Sequence, residues 1–142
     1  ELTLSAWVAP TDLYNPSYSI IDRDDGTYTA FQLMFYDEET LRFTITTGAG
    51  VVLDFDVFID PDDFIEEWNL VTAVYDGANM RIYINGYEED FVSKTGNITN
   101  SGILLQAGND FSGNYFEGEM DDIRVYNRAL TPAQILALAN QD

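Results

Sequence analysis

The chain has 142 residues, 46% hydrophobic and 14% aromatic, enough to bury the core of one domain and too apolar for a disordered segment. Asp and Glu total 25 against 6 Lys and Arg, a formal charge of −19. Such a field repels phosphate backbones, which excludes nucleic-acid binding, and it attracts cations. Cysteine and histidine are both absent, which excludes disulfides, thiol nucleophiles, Ser-His-Asp triads and ordinary zinc or copper sites.

Leu2, Leu4, Ala6 and Val8 alternate with Thr3, Ser5 and Trp7, predicting a strand that ends at Pro10. The loop Thr11 to Ser17 leads into a short strand from Tyr18 to Ile21, followed by an acidic turn, Asp22-Arg23-Asp24-Asp25-Gly26. Phe31, Leu33 and Phe35, then Leu41, Phe43 and Ile45, mark the inward faces of two more strands. Val51, Leu53, Phe55, Val57 and Ile59 alternate with an acidic outer row of Asp54, Asp56 and Asp60. Trp68 to Gly86 predicts a hairpin reversed at Asp76-Gly77, where glycine accepts positive φ, and too apolar to stand without a second sheet over it. Glu88-Glu89-Asp90 reads as a solvated acidic bend. Ile103, Leu105 and Ala107 predict a strand running into the loop Gly108 to Asn114, and Phe116 to Tyr126 a last strand bulged at Asp121-Asp122. Thr131-Pro132-Ala133-Gln134 is a helix start with Thr as N-cap, Pro at N1 and Gln closing a capping box.

Strands of this length between closely spaced turns predict an all-β fold: an antiparallel two-sheet β-sandwich of jelly-roll type, with one short C-terminal helix. Residues 1–142 make a single domain with no linker or repeat. No apolar run approaches the roughly 20 residues of a membrane span, so no membrane insertion is expected. No signal peptide is visible, and Glu1 reads as a cut end.

Ser5-Ala6-Trp7-Val8, the run Trp68 to Gly86 with its YDG and YING elements, and Gly118 to Leu130 followed by TPAQI together resemble the laminin G-like jelly rolls of the concanavalin A-like lectin/glucanase superfamily. Within it, the chain resembles the pentraxin-related bacterial or archaeal type. Members of that family usually begin with one more strand before the SAWV-like segment. Its absence here implies either a trimmed chain or a strand supplied by a neighbouring subunit through β-augmentation.

The resemblance implies calcium. The loops that hold metal in pentraxins match Asp22 to Gly26 and Gly108 to Asn114, so Asp24, Asp25, Asn109 and Asp110 resemble ligands by position. Calcium takes about six to eight oxygens, and carboxylates and amides on loops supply them. Asp121, in the GEMDD motif, is implied as a further ligand. The alternative is two solvated acidic turns, with one Asp of Asp121-Asp122 bonding backbone amides and the other pairing with Arg124 or Arg128. Loop aromatics Tyr14, Tyr18, Tyr28, Phe111 and Tyr115 flank the same end, and aromatic faces beside carboxylates suit sugars; of these, Tyr14, Tyr28, Phe111 and Tyr115 are the candidate ligand-binding residues.

Glu117, Glu119 and Asp121 lie at alternate positions of one strand, about 6–7 Å apart per step, near the spacing of a retaining carboxylate pair. The surrounding GEMDDIRVY belongs to the non-catalytic branch of the resemblance, so no catalytic residue is assigned. Asn97-Ile98-Thr99 is a glycosylation sequon in an accessible loop. The expected function is a non-catalytic module at the cell surface or outside the cell. It would bind a glycan or a cell-surface protein with calcium, and sit among neighbouring domains of a larger chain or identical subunits. The rival readings are a structural subunit of a filament, sheath or adhesin stalk, and a carboxylate-based glycoside hydrolase.

Overall fold

The computed structural model describes residues 1–14, 18–99 and 104–141. Ten strands form two five-stranded antiparallel sheets. The first is ordered β10 (Gly118–Tyr126), β1 (Leu2–Pro10), β6 (Asn69–Tyr75), β7 (Asn79–Ile84), β8 (Tyr87–Ser93). The second is ordered β5 (Val52–Phe58), β4 (Thr40–Thr46), β3 (Thr29–Asp37), β2 (Tyr18–Asp24), β9 (Gln106–Ala107). This is the expected jelly-roll β-sandwich.

The core lies between the sheets. Leu4, Ala6 and Val8 from β1, Val71, Ala73 and Tyr75 from β6, and Met80 and Ile82 from β7 meet Leu33, Phe35, Leu41, Phe43 and Ile45 from the second sheet. Each set is the apolar half of a period-2 pattern. β6 is buried along its whole length, because its other face is covered too. There Leu70 and Val74, with Tyr83 of β7, pack under Ile135 and Leu138 of the helix α1 (Pro132–Ala139). The helix begins at the predicted capping box, with Thr131 accepting from the Gln134 amide and Gln134 reaching back to the Thr131 amide. Its one-sided apolar stripe is thus explained by a single docking surface. No helix among the described residues is long and apolar enough to cross a membrane.

Three expectations need correction. Glu88-Glu89-Asp90 is not a bend but the middle of β8, an edge strand exposed from Tyr87 to Phe91. Such a strand carries no apolar alternation, so its sequence looks like a turn. The strand expected to stop at Ile21 continues as β2 to Asp24, drawing Asp22 out of the acidic turn and into the sheet. The strand assigned to Ile103, Leu105 and Ala107 survives as the two residues of β9; Ile103 lies outside the described residues, as do 15–17 of the loop before β2. The bulge at Asp121-Asp122 is present: the β1–β10 register shifts between Ser5 and Trp7, and Asp122 takes φ 50°.

Candidate functional site

The β2–β3 turn and the β9–β10 loop meet at one end of the second sheet. β2 and β9 are neighbours there, pairing Ile21 with Ala107 and Asp22 with Gln106. The contact that joins the loops is Gly26 against Phe111. Gly26 has φ +80°, and a Cβ on it would sit 2.4 Å from Phe111 Cδ1, so this turn needs glycine for both its conformation and its neighbour.

Asp22 lies beneath this junction, 0% exposed. Neither of its carboxylate oxygens has a hydrogen-bond partner. Burial pushes its pKa up to about 7, and the negative charges of Asp24 and Asp110 push it the same way. A buried carboxylate without a donor is costly, and such groups call for an explanation by a proton, an ion or water. The sequence places Asp22 at the start of the loop matched to a metal loop but not among its ligands, because nothing local separates it from the other turn carboxylates. The signal that marks it is its position, continuing β2 opposite Gln32 of β3 and Gln106 of β9.

The predicted ligands surround it unevenly. Asp24 accepts from the Gly26 amide and from Thr29 Oγ1, and Asp25 accepts from the amides of Thr27 and Tyr28. Asp110 accepts from the amide and the Nδ2 of Asn114, while Asn109 Nδ2 donates to Gln106 Oε1 at 2.9 Å. These side chains shape their own turns, in the way Asx residues do. Among the described residues no three acidic side chains already stand gathered as a metal cluster. The fit to calcium therefore rests on Asp22: an oxygen donor without a proton donor, with Asp24 and Asp110 close enough to act on its charge.

Asp121 is not brought to this place. It is paired with Trp7 of β1, and its Oδ1 accepts from the Asp122 amide at 2.7 Å. Asp122 pairs in turn with Arg124, its Oδ1 accepting from Nε at 2.8 Å. Met120 is the residue of β10 that reaches the β9–β10 loop, its sulfur 3.6 Å from where a Cβ on Gly108 would lie. Glu119 and Asp121 both stand exposed on an edge strand, in the surroundings of solvated surface charges. Tyr14, Tyr28, Phe111 and Tyr115 are all exposed, and Phe111 is held directly over Gly26. Tyr18 is buried instead, its ring meeting Phe116 edge-on at 6.5 Å.

Two antiparallel sheets, a covering helix and acidic loops at the sheet end define a lectin-like binding fold. The chain belongs to the concanavalin A-like lectin/glucanases superfamily, whose laminin G-like family model matches residues 1–136. It is 26% identical to human Usherin (Homo sapiens) over 149 aligned positions, which take in 100% of this chain and 3% of that one. It superposes on the heptameric SAP-like pentraxin of Limulus polyphemus with a TM-score of 0.71 at 20% identity, covering 98% of this chain and 69% of the other. It also superposes on the binding domain of Botulinum neurotoxin DC, solved in complex with SialylT, with a TM-score of 0.73 at 20% identity, covering 98% and 35%. At these identities the solved structures share the fold. The chain spans a small part of Usherin and about a third of the toxin domain.

Proposed function

We propose that this domain is a non-catalytic recognition module, set outside the cell or on its surface, that binds a glycan or a protein surface through exposed loop aromatics, with calcium held at Asp22. The observation that carries the reading is Asp22 itself, fully buried with both oxygens unbonded beneath the junction of two acidic loops. A cation there answers the unbonded carboxylate and the mutual repulsion of Asp22, Asp24 and Asp110. Asp22 would hold the ion, with Asp24 and Asp110, whose charges act on it, and its register partner Gln106 as further oxygen donors. A bound ion would stiffen both loops and so fix Tyr28 and Phe111 at the rim. The family is lectin-like, and the toxin domain that shares the fold was solved with SialylT, which supports recognition as the class of activity.

Thermal unfolding in calcium and in chelator tests the site. The midpoint of the unaltered chain should rise with calcium through preferential binding to the folded state, and Asp22→Asn should abolish the rise. A midpoint indifferent to calcium removes the metal from the reading. Glycan-array binding of the two proteins, each with and without calcium, then tests recognition separately.

A second reading, the structural subunit, has its own observation. Val125 of β10 lies opposite the inward-facing Leu4 yet is 40% exposed. It lines a concavity of about 560 Å³ with Leu2, Phe31, Ile98 and Leu105, beside Glu1. An apolar strand from a neighbouring subunit would complete the sandwich there. Light scattering across a dilution series distinguishes the two: a particle size that grows with concentration favours the subunit, a constant monomer the module.

A further inference from the structure

Both tryptophans of the sequence, Trp7 and Trp68, converge with Asp121 on one concavity of about 250 Å³. It belongs neither to the Asp22 junction nor to the open side of the sandwich. Trp7 projects from β1 between its two register partners, Asp121 on β10 and Leu70 on β6. It packs on the cluster of Leu70, Leu130 and Ile135 under the helix, which fixes its ring. Trp68 directly precedes β6 and remains 43% exposed. Ala9, the next residue of β1 on the face of Trp7, presents just a methyl group and is paired with Glu119. The notch is therefore walled by indole rings, with the Asp121 carboxylate on its β10 side. The nearby cation, Arg124, is engaged by Asp122 and by Gln141 Oε1 at 3.1 Å.

We propose that this notch binds an organic ammonium group, methylated or quaternary. Indole faces attract such cations most strongly among the aromatic side chains, and a carboxylate adds charge complementarity. The acidic field of the whole molecule raises the local concentration of cations. A metal ion is a poorer fit, because calcium needs several oxygens and Asp121 is the one lining residue that offers a carboxylate. A sugar is a poorer fit as well, since its hydroxyls ask for donors and acceptors, and beyond the indole N–H groups the lining offers no side-chain donor.

The chain reports on this site by itself, because its tryptophan fluorescence arises from the two lining residues alone. Tetramethylammonium, titrated at constant ionic strength, should change that fluorescence saturably, while equimolar sodium and the neutral tert-butyl analogue neopentyl alcohol should not. Trp68→Ala should weaken binding by about two- to fivefold, the size of an exposed cation–π contact. Asp121→Asn, a change at an exposed side chain, should weaken it similarly without loss of folding. Free trimethyllysine and a short neutral peptide containing it distinguish two sources: tighter binding of the peptide assigns a protein tail, equal binding a small free amine. An equal response to neopentyl alcohol, saturation by methyl glucoside instead, or an affinity unchanged in both variants overturns the proposal. Asp22→Asn should leave the titration unchanged, so a failure of the calcium reading and a failure here are separate results.

Discussion

A side chain at Gly26 would collide with the ring of Phe111, 2.4 Å from its Cδ1, so the two acidic loops can close on one another through a glycine alone. Gly26→Ala should therefore cost about 1–3 kcal/mol, combining positive-φ strain with the displaced ring. Urea unfolding measures it. Phe111→Ala removes an exposed ring and should cost less than about 1 kcal/mol. Both variants should blunt any stabilisation by calcium, because each separates the loops that bring Asp110 to Asp22.

Asp22 makes the stability depend on pH in an unusual direction for a carboxylate. Its folded pKa is raised to about 7 from 3.8, so between those values the folded state binds the proton and the unfolded state does not. Stability from this group is present at the acid side and is lost as pH rises from about 4 towards 7. The loss is bounded at about 4 kcal/mol, three pKa units at 1.36 kcal/mol each. In chelator, the unaltered chain should be less stable at pH 8 than at pH 5.5. Asp22→Asn should flatten that difference and raise stability at pH 8. A difference that persists in Asp22→Asn assigns the dependence to another group.

The helix is held by its cap and by one buried stripe. Thr131→Ala should cost about 1 kcal/mol, the usual value of an N-cap. Ile135→Ala, at a fully buried position over Leu70 and Val74, should cost about 2–5 kcal/mol. Gly86→Ala tests the same docking from beneath: its φ is +88° and a Cβ would lie 3.0 Å from the Leu136 Cα. Denaturant midpoints read all three, and the order of loss should be Ile135 largest and Thr131 smallest.

On the second sheet Arg42 donates two 2.7 Å hydrogen bonds to the Asp56 carboxylate and lies 3.5 Å over the Tyr36 ring. The planar fork and the stacking both need guanidinium. Arg42→Lys, although it keeps the charge, should cost about 0.5–1 kcal/mol, as expected of a half-exposed pair. Urea unfolding at two salt concentrations checks it, with the smaller cost at high salt.

The strands whose two faces differ were legible in the sequence. β1, β3, β4 and the β6–β7 hairpin repeat apolar residues with period 2, and that period follows from the pleat of the chain itself. The capping box and the bulge at Asp121-Asp122 were legible for the same reason, since each is fixed by residues a few positions apart. β8 was not, because a charged edge strand exposed over most of its length satisfies its backbone from one neighbour and shows no pattern.

The candidate sites divide along the same line. The sequence marked the two acidic loops, and the tertiary structure joined them through Gly26 and Phe111. Within the run Asp22, Asp24, Asp25 the residue type is constant, and the three differ in burial and in the hydrogen bonds they accept. Burial is set by what β9 and the following loop bring across from more than 80 residues away in the chain. The meeting of Trp7, Trp68 and Asp121 is a product of strand order too, since β1 lies between β10 and β6 in the sheet while the chain visits them far apart. Local sequence determines which way a side chain faces along its own strand. The pairing of distant strands decides what stands opposite it, and therefore whether a carboxylate is solvated, buried or set beside an indole.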